Sequence, residues 1–201
     1  MTPRAETDHA SAIKAAKELF WRRGYHETSM EEVVSATGLN RYALYNAFGG
    51  KLELFLKVLE LYQNERKELF LRVLNDPERS PLDAVRTVGE FCISEMAERG
   101  AGCLICNVAL EFGPCEPIVA ECVTGYLAEV QSAKEMALEQ AAACGELNPA
   151  ITPKEGAAML MTHMLGVGAR ARNGASREEM LRSLHSCVAV LKATRIEKEA
   201  S

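Results

Sequence analysis

Apolar residues recur every three or four positions along almost the whole chain, and no run of several residues alternates apolar with polar. This pattern constrains the fold more than any other feature: a 3.6-residue period lines one face of a helix, whereas a half-buried strand needs a period of two. The chain is therefore expected to be all-α. A first helix is expected from about Asp8 to Arg23, with Ile13, Ala16, Leu19 and Phe20 on one face and Gly24 as a left-handed stop. A second starts at Thr28, where the T-x-x-E spacing to Glu31 predicts a capping box. It buries Met30, Val33 and Val34 and ends at Gly38. Asn40 caps a third helix, whose Leu44 and Phe48 face inward one turn apart. A long fourth runs from about Lys51 to Leu74, up to the boundary stretch "NDPERSP", and Ser80-Pro81 restarts the chain. Further helices are expected over 81–99, 103–112, 116–144, 153–172 and 176–194, separated by turns such as "GPCEP", "NPAITP" and "NGAS".

Composition bears on partners and compartment. The chain has 201 residues and is 48% hydrophobic, enough to bury a substantial core. It has no run of eighteen apolar residues, and "MTPRAETDHASAIK" lacks the basic-then-apolar layout of a secretory signal. A cytoplasmic protein without a membrane partner is expected. Its seven cysteines are then expected to be thiols rather than a disulfide framework. A net charge of -5 argues against nucleic acid, since phosphate neutralisation needs Lys and Arg. The average conceals an asymmetry: residues 1–51 carry seven basic against six acidic residues, so the acidic excess lies downstream.

Two short helices joined by a tight Gly turn and packed on a preceding helix make a helix-turn-helix, whose second helix enters the DNA major groove. With Leu44 and Phe48 inward, the helical phase turns Arg41, Tyr42, Tyr45 and Asn46 outward. Arg41 and Tyr42, in the first turn, are placed to touch base edges. Thr28, Ser29, Tyr45, Asn46 and Lys51 are the candidate contacts to phosphate oxygens, and the N–H groups opening the fourth helix add to that. The competing reading leaves the same Tyr and Arg side chains merely solvated or packed in an ordinary helical protein.

The stretch "AAKELFWRRGYHETSMEEVVSATGLNRYALYNAFGGKLELF" resembles the DNA-binding domain of the TetR/AcrR family of transcriptional repressors. Leu19-Phe20, Gly24-Tyr25, Thr28, Val33-Val34, Gly38-Leu39, Leu44-Tyr45, Phe48, Lys51 and Leu54-Phe55 carry the match. Ala47, where an aromatic is common, and Gly49-Gly50, where a polar pair is usual, depart from it. The resemblance implies a homodimer of about nine helices per chain: a three-helix DNA-binding domain over 1–52, and a regulatory and dimerisation domain over 53–201. The last two helices would form a four-helix interface with the partner. Leu181, Leu184, Val188 and Leu191 follow the 3-4-3 spacing of a helix-pair seam. Ala157, Ala158, Gly166, Gly168, Ala169 and Ala171 would let the neighbouring helix approach. Burial of that seam within one chain is the alternative. A dimer presents two reading heads and seeks a near-palindromic operator in double-stranded DNA.

Downstream of Ser80 there is no phosphate-binding glycine loop, no G-x-S-x-G and no H-E-x-x-H, and the four histidines are scattered. No catalytic residue, metal site or cofactor is assigned. In the resembled family this region holds an apolar pocket for a small-molecule inducer. Phe91, Met96, Leu110, Phe112, Tyr126, Met159 and Met164 are the candidate lining, with plain core packing as the alternative. Asn107 and Glu111 either line that pocket or hydrogen-bond backbone. The segment "AERGAGCLICNVALEFGPCEP" is similar to a "GCL…N…LE" stretch in a branch that includes electrophile- and hypochlorite-responsive repressors. Gly102, Cys103, Leu104, Asn107, Leu110 and Glu111 carry that similarity. Cys103 and Cys115 lie near expected helix starts, which favour a thiolate. With Cys106 they have three readings: inert packing, a redox switch or part of a soft-metal site. The expected function is a dimeric transcriptional regulator, a repressor released by a small-molecule inducer or a thiol-reactive signal. The alternative is a helical small-molecule-binding protein or enzyme that does not bind DNA.

Overall fold

The computed structural model describes residues 3–193, with side chains from residue 9 onward; the outermost residues of both assigned domains, 1–2 and 194–201, lie outside the described residues. The described residues form nine helices: α1 (Pro3–Arg23), α2 (Met30–Thr37), α3 (Arg41–Phe48), α4 (Lys51–Leu74), α5 (Pro81–Arg99), α6 (Leu104–Phe112), α7 (Pro117–Ala143), α8 (Pro153–Arg172) and α9 (Arg177–Leu191). They contain no strand, only an isolated antiparallel bridge between Leu147 and Lys192. That bridge shortens the last helix relative to expectation. Lys192 turns extended at φ -77° and ψ 136°, and the Asn148 N–H takes the Leu191 carbonyl at 2.8 Å, so the backbone bonds sideways. No helix is long and apolar enough to cross a membrane among the described residues.

The start of α2 differs by one residue from the sequence expectation. Ser29, not Thr28, closes the capping box: its hydroxyl accepts from the Glu32 N–H, and the Glu32 carboxylate accepts from the Ser29 N–H. Thr28 is 1% exposed and donates its hydroxyl to the Gly24 carbonyl at 2.6 Å, one of the orphan acceptors at the end of α1.

The helices form two compact units. Of the described residues, the first comprises 3–68 and 104–126, the second 69–103 and 127–193. This division cuts within α4 and α7 and places α6 beside the N-terminal helices, whereas the sequence reading drew a single boundary after residue 52. In the first unit Phe20, Trp21, Val33, Leu44, Leu54, Phe55, Val58 and Leu59 are fully buried, and α1 packs on α2. The outward phase of α3 follows from Leu44, which occupies its only fully buried position.

In the second unit α5 packs against α8 and α9, around a core that includes Ile93, Met96, Leu138, Leu160, Met180 and Leu184. The seam expected to face a partner chain is intramolecular. Leu184, Val188 and Leu191 are buried in this core and Leu181 packs against it. The close approach comes from glycines on the facing helices: a Cβ on Gly89 would lie 2.7 Å from Leu184 Cδ2, and one on Gly156 would lie 3.1 Å from Leu191 Cδ2.

Candidate nucleic-acid interface

α3 is short, and its ends are held by side chain and turn. Asn40 Oδ1 accepts from the Ala43 N–H at 2.8 Å, and the Gly49 N–H returns to the Tyr45 carbonyl. The helix presents Tyr42 at 78% exposure and Tyr45 at 49%, with Arg41 and Asn46 also exposed. All four side chains assigned to the open face are on it. Phe48 is half-buried, with its ring 5.5 Å from that of His9.

Two basic side chains of this surface are held by carboxylates from α2. Arg41 Nη2 meets Glu31 Oε1 at 2.6 Å, and Arg23 Nη1 meets Glu32 Oε1 at 2.9 Å. The Arg41 pair is well exposed, where such pairs contribute roughly 0.2–1 kcal/mol, so Arg41 can leave Glu31 for another acceptor at little cost. The Ser29 amide and hydroxyl hold the Glu32 carboxyl below its ordinary range, with Arg23 adding to the effect.

Lys51, at the start of α4, places its ammonium 4.2 Å from the centre of the Tyr25 ring. Burial lowers its pKa, opposed by Glu111 and Glu32, and the Tyr25 hydroxyl is pushed up, chiefly by burial. The Gly49-Gly50 pair, which departs from the family pattern, lies against Glu53: a Cβ on Gly50 would sit 2.8 Å from its Oε2. Thr28, expected to contact a phosphate, is instead buried with its hydroxyl on the Gly24 carbonyl, so Ser29 is the exposed hydroxyl at this end of α2.

The candidate pocket residues divide between the units. In the second, Met96 is core, Met159 and Met164 pack against the core, and Phe91 is half exposed. In the first, Phe112 joins an aromatic cluster, its ring 5.5 Å from Phe55, 5.1 Å from Tyr25 and 4.9 Å from His26. Tyr126 is 6.3 Å from Tyr62 and Asn107 is half-buried. Leu110 is 79% exposed, because α6 buries Ile105, Val108 and Phe112 on another face; this removes it from a pocket lining.

Glu111 takes the second of the two roles expected of it, hydrogen bonding to backbone, but to backbone distant in sequence. Both its oxygens accept backbone N–H groups in the turn after α1, those of Tyr25 at 3.1 Å and His26 at 2.6 Å. The sequence carried no sign of this partner beyond the "LE" match, since the contact spans more than eighty residues.

No disulfide joins any of the seven cysteines. Cys103 directly precedes α6 and is half-buried, Cys106 is buried within that helix, and Cys115 is exposed two residues before α7. Cys122 accepts from Gln63 Nε2 at 3.2 Å. No group of three or more His, Cys, Asp or Glu could hold a metal ion among the described residues.

Comparison with known proteins points the same way. Residues 12–58 match the family described as "Bacterial regulatory proteins, tetR family", and residues 81–187 match "Tetracyclin repressor-like, C-terminal domain". The uncharacterized HTH-type transcriptional regulator YezE of Bacillus subtilis is 30% identical over 71% of this chain and 74% of its own length. The HTH-type transcriptional repressor ComR of Escherichia coli is 28% identical over 87% of this chain and 84% of its own. Among solved structures, a cysteine mutant of the TetR family regulator CifR complexed with 26bp double-strand operator DNA superposes with a TM-score of 0.79 at 24% identity. That match covers 89% of this chain and 94% of the other.

Proposed function

The chain belongs to the TetR family of bacterial regulatory proteins, which are DNA-binding transcriptional regulators and not enzymes, and we propose that it is a homodimeric cytoplasmic repressor of a near-palindromic operator. In this reading the reading head is the helical domain within residues 1–52, and residues 53–201 carry regulation and dimerisation. Arg41 and Tyr42 read base edges. Ser29, Tyr45, Asn46 and Lys51 contact phosphates and set the register. The observation that carries the reading is the outward face of α3, where Arg41, Tyr42, Tyr45 and Asn46 are exposed around a fully buried Leu44. ComR, described as a repressor, supports the sign of regulation, and the operator complex of CifR supports the DNA partner.

Release follows when a small-molecule inducer or a thiol-reactive agent acts on the regulatory part. Met96, Met159 and Met164 remain candidates for contact with an inducer, and Cys103, Cys106 and Cys115 for a thiol signal. Fluorescence anisotropy on DNA from the protein's own upstream region tests the whole. Arg41→Ala should weaken binding by roughly 1–3 kcal/mol and relax preference at one base pair of each half-site. Lys51→Ala should weaken binding to all sequences and lower the salt slope by about one per subunit. Unchanged affinity and base preference in both Arg41→Ala and Tyr42→Ala would remove these residues from the reading role. Binding that a mild oxidant abolishes in the parent protein but not in Cys103→Ser assigns the signal to that thiol; tight binding indifferent to oxidant makes the cysteines packing residues and moves the search to pocket ligands.

A further inference from the structure

α1 ends at Gly24 in the left-handed region, with φ +90°, and two successive backbone N–H groups follow it. Successive amides in such a turn form a concavity that takes an anion. Here the anion is supplied by the chain itself. Glu111 Oε2 accepts from the Tyr25 N–H and Oε1 from the His26 N–H. The carboxylate lies so close that a Cβ on Gly24 would be 2.9 Å from Oε2 and would push it aside, while the positive φ itself favours glycine at this position. Phe112, the next residue, packs its ring against Tyr25 and His26 and fixes the same end of α6 on the same turn.

The turn in turn sets the start of α2. Thr28 returns its N–H to the Tyr25 carbonyl at 3.2 Å and its hydroxyl to the Gly24 carbonyl at 2.6 Å. The adjoining Ser29 caps the helix that carries Glu31, the partner of Arg41. We propose that Glu111 is a positioning residue for DNA reading: its carboxylate, seated on the Tyr25 and His26 amides, lets α6 hold the helix-turn-helix in the geometry that binds DNA. This rests on the DNA-reading function proposed above. The chemistry calls for a carboxylate. Glutamine keeps one acceptor and turns an NH2 toward the second N–H, and aspartate is one methylene short of the turn.

The test uses the full chain and compares the parent protein with Glu111→Ala and Glu111→Gln. Operator affinity is measured by anisotropy, amide hydrogen exchange is followed at Tyr25 and His26, and melting curves are recorded. The expected result in Glu111→Ala is faster exchange at both amides and operator affinity lower by about tenfold or more, the scale of a charge-assisted hydrogen bond. The salt slope should stay unchanged, because no phosphate contact is lost. Glu111→Gln should fall between. Operator affinity within about twofold of the parent in both folded variants overturns the proposal, as does a loss that only tracks the unfolded fraction on the melting curve. Failure of the parent protein to bind any DNA, selected random sites included, overturns the DNA-reading function itself and this role with it. That outcome is distinct from a defect confined to the variants.

Discussion

His163 illustrates how a single side chain ties stability to pH in this fold. Its Nε2 is buried on α8 without a hydrogen-bond partner, and burial first, then the Arg170 charge, lower its pKa. In the unfolded chain the imidazole protonates near its ordinary value of about 6.5, while in the folded chain it resists protonation. The unfolded state therefore binds more protons as pH falls through that value, and stability drops until pH passes below the folded value. Urea unfolding between about pH 8 and 5 should show this decline, and His163→Gln should flatten it. An equal slope in both proteins would assign the pH dependence to other groups. A different lesson comes from Thr28 and Ser29. Thr28-x-x-Glu31 and Ser29-x-x-Glu32 are equally good capping boxes in sequence. The choice was not legible because a non-local demand decides it: the Gly24 carbonyl at the end of α1 takes the Thr28 hydroxyl and leaves the cap to Ser29.

Helices were the most legible level. α4, α5 and α8 have the bounds that the sequence predicts; Ser80-Pro81 marks the start of α5 with a cap residue and proline at the first helical position, and the structure shows Thr152-Pro153 doing the same for α8. What each helix packs against was less legible. The 3-4-3 spacing of Leu181, Leu184, Val188 and Leu191 establishes that α9 has an apolar face, but the same spacing serves a partner chain or the protomer's own core. Gly89 and Gly156 decide for the core, by leaving room for Leu184 and Leu191. The connection between α5 and α6 makes a sharper demand. Gly102 has φ +68°, and a Cβ there would lie 2.6 Å from the Gly168 carbonyl oxygen, a backbone atom that cannot rotate away. Gly102→Ala should therefore cost more than the roughly 1–2 kcal/mol of a left-handed alanine alone. A lower denaturant midpoint at unchanged m-value is the signature to measure. An unchanged midpoint would mean that α8 yields at this contact.

At the scale of the whole molecule, the proposed homodimer would let a chain with net charge -5 gain DNA affinity by presenting its modest reading surface twice. The face available for pairing is the one the protomer leaves uncovered. Ala158, Thr162, Gly166 and Ala169 run one turn apart along exposed positions of α8, and Ala189 and Val190 are exposed near the end of α9. Small residues in such a row let two helices approach closely. A Cβ on Gly166 meets nothing within 4 Å inside the protomer, so a side chain there leaves the single chain intact and, in the proposed dimer, would collide with the partner. Replacing a mid-helix glycine even favours the helix, by up to about 1 kcal/mol. Gly166→Glu should therefore fold, keep its helical content, and sediment as a monomer where the parent sediments as a dimer. It would also place an unpaired carboxylate in any residual interface, which opposes re-association. The consequence for DNA follows from counterion release: a monomer neutralises about half as many phosphates, so the slope of log affinity against log salt should fall by about half, together with a loss of affinity. A Gly166→Glu protein that remains dimeric would move the interface elsewhere. A monomeric variant that keeps the full salt slope would mean that one head suffices, and the near-palindromic operator would have no basis.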